Sequence, residues 1–173
     1  TTDALFLIGI IQHIINNKLF RPDHLMPLLK GWDELLAMFD DFDIHQISAQ
    51  CGVSAKDIIR IAEEFSAAKR AICYGRMGIS AQAFGTLNHW LINILNIITG
   101  NLDRPGGMMF TRPAVDLSIK PSTAGSYNHY QSRVRGLPEF NRELPTSAMA
   151  EEMLVPGEGQ VRAFVCIAGN PVL

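Results

Sequence analysis

Two glycine-rich turns flank one apolar helix within residues 74–110, YGRMGISAQAFGTLNHWLINILNIITGNLDRPGGMMF, and this arrangement limits the fold more than any other part of the chain. A short apolar run, 71–75, leads into the first turn. Leu87, Trp90, Leu91, Ile94, Leu95 and Ile98 then recur at helical spacing, with Thr86 predicted as the cap and Gly100 as the stop. Backbone N–H groups of two such turns can gather on one anionic or heteroaromatic group without a charged side chain. Taken singly, a glycine turn more often serves plain chain reversal. Asn93 and Asn96 are poor helix formers inside this helix and read as polar contacts to neighbouring backbone.

The turns themselves narrow the chemistry. Gly75-Arg76-Met77-Gly78 departs from the dinucleotide fingerprint G-x-G-x-x-G, and no Walker lysine is present. In 100–107, Asp103 and Arg104 precede a proline and two glycines; Arg104 can pair with a phosphate, but the spacing favours a salt bridge to Asp103. Adjacent glutamates, Glu63-Glu64 and Glu151-Glu152, point to different helix faces and read as solvated positions. No nucleophile, base or paired-carboxylate arrangement emerges, so no catalytic residue is assigned.

Before this region the chain reads as helices. Thr2 caps a first helix that is apolar on nearly all sides from Ala4 to Ile15, too short to span a bilayer. Short helices follow over 24–30, 32–39 and 43–50, the last closed by Gly52. Asp40, Asp41 and Asp43 lack the glycine and terminal glutamate of a calcium loop and read as a solvated turn. Ser54 caps a further helix with Asp57 at the capping-box position. The runs 71–75 and 161–168 read as buried parallel strands. The expected fold class is therefore α/β, helix-rich, with these two parallel strands and flanking helices. Three portions are expected: an α/β binding portion over 1–110, a long proline-punctuated loop with one short helix (146–154) over 111–160, and the start of a further βα unit over 161–173.

At 173 residues and 47% hydrophobic, the chain can bury a core. A formal charge of −2 with scattered basic residues argues against nucleic acid or an anionic membrane as partner. Cys51, Cys73 and Cys166 are widely spaced, which fits a reduced, cytoplasmic setting and buried thiols; neither they nor the five histidines show metal-ligand spacing. A start at Thr1 and a stop just after a predicted strand lead to the expectation of a piece of a longer polypeptide, whose uncovered apolar surface would favour self-association.

The stretches TTDALFLIGIIQHIINNKLF, AAKRAICYGRMGISAQAFGTLNHWLINILNIITGNLDRPGGMMF and PGEGQVRAFVCIAGNPVL resemble the central part of molybdopterin-dependent oxidoreductases of the dimethyl sulfoxide reductase superfamily, which includes formate dehydrogenases and nitrate reductases. The resemblance implies a large multi-domain enzyme that binds bis(molybdopterin guanine dinucleotide) with molybdenum or tungsten between α/β domains. It also implies an iron–sulfur (4Fe-4S) cluster in the parent and an electron-transfer subunit as a partner. By the same resemblance, Gly75, Arg76, Met77, Gly78 and Gln82 lie near the pterin, and Gly169, Asn170 and Pro171 touch the guanine dinucleotide part. Gly106 and Gly107 border the active-site funnel as further contacts. The family's metal ligand and cluster cysteines belong upstream of this region, so neither catalysis nor tight cofactor binding is expected of this segment by itself. The residues alone leave a second class open, a free-standing α/β module that uses the same turns for a nucleotide or for oligomerisation.

Overall fold

The first helix, α1 (Asp3–Asn16), is the element on which three later helices of residues 2–110 pack. In the computed structural model, which describes residues 2–110, 114 and 127–169, Ile11 and Ile14 of α1 are fully buried. Its apolar residues cover almost every side because three helices contact it: α3 (Ile44–Cys51), α4 (Ala55–Ala67) and α6 (Gly85–Ile98). Gly9 lets two of them approach. A Cβ there would stand 3.1 Å from Ile58 Cγ2 and 3.2 Å from Ile47 Cγ2. The polar Gln12 of α1 is buried and donates its amide to the Phe42 carbonyl, so no orphan is left on that face.

Local signals in the sequence are met closely in this half. A 3-10 turn covers Asp23–Leu28 and α2 covers Trp32–Ala37. Asp43 caps α3 by accepting from the His45 N–H at 2.8 Å, and Gly52 (φ +75°) closes that helix. Ser54 caps α4, accepting from Asp57 N–H at 3.1 Å while its hydroxyl donates to the Asp57 carboxylate at 2.6 Å. The Ser54 hydroxyl, with Arg60 beside it, holds the Asp57 carboxyl below the usual carboxylate range. That contribution to the cap is present above the unfolded-state pKa and is lost as pH falls through the lower folded value.

Two sequence expectations shift. The helix predicted to start at Thr86 starts at Gly85, with Phe84 as N-cap and no side-chain cap bond; a four-residue helix, α5 (Met77–Ser80), immediately precedes it. The runs 71–75 and 161–168 are not paired into a sheet, and no parallel strand pair forms among the described residues. The physical reason is that no neighbouring strand lies beside either run among the described residues: the backbone of the first bonds to asparagine side chains instead, and the second leaves Val165 and Ile167 largely exposed. Among the described residues the fold is helix-rich with one small antiparallel sheet.

The chain forms two compact units, Thr1–Thr111 and Arg112–Leu173. The second contains that sheet, a hairpin of β1 (Tyr127–Gln131) and β2 (Pro138–Phe140) where the sequence reads as loop. Its signal was weak because YNHYQ is polar and exposed throughout, with an irregular register. Glu139, 2% exposed, accepts from His129 N–H at 3.0 Å and from Arg142 N–H, which ties the hairpin to its own return. A 3-10 turn over Thr146–Ala148 leads into α7 (Met149–Leu154), as the sequence predicts. Its Glu151 and Glu152 are not simply solvated: they pair with Arg135 (2.6 Å) and Arg133 (3.2 Å). Among the described residues, no helix is long and apolar enough to cross a membrane.

Truncating a side chain at the meeting point of α1, α3 and α4 tests this packing. Ile58→Ala is expected to destabilise the folded chain by about 2–5 kcal/mol, because a fully buried aliphatic group is lost and a cavity is left. Urea unfolding followed by far-UV circular dichroism gives the value; a change within error of zero would contradict the packing.

Candidate functional site

The first turn is held by α6 through its main chain. Cys73 N–H donates to Asn96 Oδ1 at 3.0 Å, and Asn96 Nδ2 donates to the Cys73 carbonyl at 2.9 Å. Two residues earlier, Ala71 N–H donates to Asn101 Oδ1 at 3.4 Å. In an extended chain the polar groups of alternate residues face the same side, so Ala71 and Cys73 turn theirs toward the asparagines. Ile72 and Tyr74 turn theirs the other way and make no backbone hydrogen bond among the described residues. Their side chains are exposed as well, at 51% and 66%.

Beyond Cys73 the chain presses against α6 and then leaves it. At Gly75 an added Cβ would lie 2.7 Å from Ile92 Cδ1 and 2.9 Å from Ile79 Cδ1, so this glycine is where the backbone comes closest to the helix. Arg76 and Met77 are exposed, and around Gly78 a Cβ would meet nothing within 4 Å. Gln82 Nε2 donates to the Gly78 carbonyl at 2.8 Å, which folds the turn back on itself. Its Oε1 is buried without a partner, and so is Oδ1 of Asn88, a residue 1% exposed. Ser80 Oγ and His89 Nε2 lie 2.8 Å apart on the same segment.

The second turn is a closed loop at the other end of α6. Asn101 N–H and Leu102 N–H both donate to the Asn96 carbonyl, at 2.7 and 3.1 Å; Met108 N–H donates to Asn101 O at 2.8 Å and Asp103 N–H to Met108 O at 2.7 Å. A Cβ on Gly107 would fall 2.1 Å from the Asn101 carbonyl oxygen, and one on Gly106 would fall 2.4 Å from Arg70 Cδ. Gly107 is thus required by the loop's own packing, and Gly106 by its left-handed backbone (φ +85°). Arg104 donates to the Gly100 carbonyl at 3.3 Å, and no ion pair joins it to Asp103 among the described residues, which corrects the salt bridge expected from their spacing. From the opposite side Arg21 reaches the Thr99 carbonyl at 3.2 Å and the Ala68 carbonyl, while its own N–H donates to Ile98 O at 2.7 Å.

Of the residues singled out in the sequence, Gly75, Arg76, Met77, Gly78 and Gln82 fall on the first turn and Gly106 and Gly107 on the second; the turns are joined at Asn96. Gly169 belongs to the second unit, where its carbonyl accepts from Cys166 Sγ at 3.2 Å, and Asn170 and Pro171 lie outside the described residues. Sequence reading anticipated backbone contacts for Asn96 but missed Asn88 and Asn101. The available signal was spacing: Asn88, Ile92 and Asn96 recur every four residues on one face of α6. An apolar pocket of about 250 Å³ between Trp32, Met38, Trp90 and Ile94 lies apart from all of these positions. Among the described residues no three His, Cys, Asp or Glu side chains gather to hold a metal.

The three thiols are free, and burial pushes the Cys73 thiol above its ordinary pKa. A raised pKa means less thiolate at a given pH and slower alkylation. Iodoacetamide at pH 8 is therefore expected to label exposed Cys166 well before Cys73, read by peptide mass spectrometry; equal rates would contradict the packing of Cys73 against α6. Gly107→Ala is expected to open the second loop, seen as faster amide exchange at Met108 and Asp103, because the Asn101 carbonyl leaves no room for a methyl group.

No family model matches the chain. Among curated proteins, it is 30% identical over 105 residues to the assimilatory nitrate reductase catalytic subunit of Bacillus subtilis (strain 168), a stretch that is 60% of this chain and 15% of that protein. It is 27% identical over 105 residues to a protein provisionally named formate dehydrogenase from Staphylococcus aureus (strain MRSA252), covering 61% of this chain and 11% of that protein. The chain thus spans a small part of the length of the curated relatives it matches. It resembles molybdopterin-dependent oxidoreductases, and the relatives it matches are named as oxidoreductases.

Proposed function

We propose that this chain is part of a larger molybdenum or tungsten oxidoreductase and contributes one wall of the site for a bis(molybdopterin guanine dinucleotide) cofactor. Similarity to parts of a nitrate reductase and a formate dehydrogenase supports this reading. The structural observation that carries it is the first turn: a backbone fixed by α6 up to Gly75, open space at Gly78, and two buried amide oxygens, Gln82 Oε1 and Asn88 Oδ1, that lack donors. The amino-pyrimidinone edge of a pterin carries N–H donors, so these acceptors fit such a group. When bound, the cofactor supplies a metal that changes oxidation state while an oxygen atom, or a hydride and a proton, is transferred.

This chain's part in that chemistry is to bind and orient. Exposed Arg76 is available to an anionic group such as a pyrophosphate, and the space beside Gly78 is open to a flat ring. Gly169, with Asn170 and Pro171, would lie against the guanine dinucleotide part, and Gly106 and Gly107 would border the approach to the metal. No catalytic residue or metal ligand is assigned to this chain. The electron-transfer subunit and iron–sulfur cluster that the resemblance implies would belong to the larger protein.

The unpaired edge at Ile72 and Tyr74 supports a further part of the reading: 71–75, and equally 161–168, would be strands of a parallel sheet whose neighbours lie elsewhere in the larger protein. Sequencing the DNA on either side tests the premise, since one continuous reading frame is required. In the full-length protein, Gly169→Trp is expected to lower bound metal and guanine nucleotide together, measured by inductively coupled plasma mass spectrometry and by chromatography of the released nucleotide. Unchanged content of both would overturn that assignment.

A further inference from the structure

Asn96 touches both glycine turns with different atoms. Its carboxamide holds Cys73 from both sides of the peptide, and its main-chain carbonyl accepts from Asn101 and Leu102 at the start of the second loop. We infer that Asn96 is a positioning residue that sets both turns in a fixed register on α6 and so presents the Gly75–Gly78 turn in one conformation; its bearing on a bound cofactor rests on the reading proposed above.

The register follows from two matching repeats. Four helical residues rise about 6 Å, and two extended residues advance about 6.6 Å. Asn96 opposite Cys73 is therefore followed, one helical turn earlier, by Ile92 opposite Gly75, and that is the contact seen. A slip of one residue would swing the polar groups of Cys73 away from α6 and carry a side chain into the space that Gly75 leaves beside Ile92.

Carboxamide orientation is also fixed. Nδ2 faces two carbonyls, those of Cys73 and Ile92 (2.8 Å), and lies 3.5 Å from Met108 Sδ, whereas Oδ1 faces an N–H. With Asn96 fully buried, water has no access to replace these bonds. Loss of the carboxamide leaves both polar groups of Cys73 without their partner, and the first turn is then tethered only by side-chain packing.

Amide hydrogen exchange on the 173-residue chain tests this, comparing Asn96→Leu, Asn96→Asp and the core control Ile98→Val. In Asn96→Leu, the Cys73 amide is expected to exchange about tenfold faster, and with it those of Ile79 and Ser80, whose N–H groups bond to the Arg76 carbonyl at the end of the turn, while amides of α1 and α4 keep their rates. Asn96→Asp keeps an acceptor for Cys73 N–H but loses the donor; protection at Cys73 should persist in large part while Ile79 and Ser80 exchange faster. Unchanged Cys73 exchange in Asn96→Leu, or a uniform rise like that of Ile98→Val, would overturn the positioning role. Should Asn96→Leu fail to fold, Asn96→Asp decides, since a uniform rise or none at Ile79 and Ser80 would equally overturn it. Metal and guanine nucleotide content of the full-length variants reports separately: a loosened turn with unchanged content leaves the positioning role standing and counts against the cofactor reading.

Discussion

A single buried asparagine joins the two glycine turns of this structure, the first through its carboxamide and the second through its main-chain carbonyl. Asn96 sits in an apolar helix, where an unpaired amide costs roughly 1–3 kcal/mol, so its position is tolerable only because every polar atom finds a partner. Those partners are the main chain of the extended run and the helix's own backbone. Thr99 and Asn101 continue the pattern at the helix end: Thr99 Oγ1 donates to Leu95 O at 2.6 Å and Asn101 Nδ2 donates to Thr99 Oγ1 at 3.0 Å. The polar thread through an otherwise aliphatic core gives the extended run and the second loop a defined seat on α6.

The helical half of the first unit was largely legible in the sequence, because its signals are local. Capping at Ser54 and Asp43, the glycine stops at Gly52 and Gly100, and the all-round apolar pattern of α1 each follow from a few adjacent residues. Strand pairing is different in kind. The run 71–75 has the composition of a buried strand, but pairing depends on a neighbour that nothing among the described residues supplies. The hairpin was missed for the opposite reason: its exposed polar strands are joined by backbone bonds and by buried Glu139, which leave no hydrophobic alternation to read.

The candidate site shows the same division. Glycines are easy to mark in a sequence, but their reasons are three-dimensional: Gly107 makes room for the Asn101 carbonyl, and Gly75 for Ile92. Asn88 and Gln82, whose side-chain oxygens are buried without a donor, carry no motif of their own. The resemblance to molybdopterin enzymes supplied the chemical context that periodicity could not, and the matched relatives agree with it at the level of oxidoreductase class.

Arg21 ties the first unit together across long stretches of sequence. Packing α1 on α4 already closes a loop of similar length, since Gly9 meets Ile58. Arg21 adds carbonyls 47 and 78 residues away, at Ala68 and Thr99. Contacts of such separation carry a larger loop-closure entropy, which the helix packing has already met. The guanidinium thus works as a clasp between the chain that follows α1 and the C-terminal ends of α4 and α6, and a lysine, with one compact ammonium on a flexible stem, could not span both carbonyls with the same fixed fork.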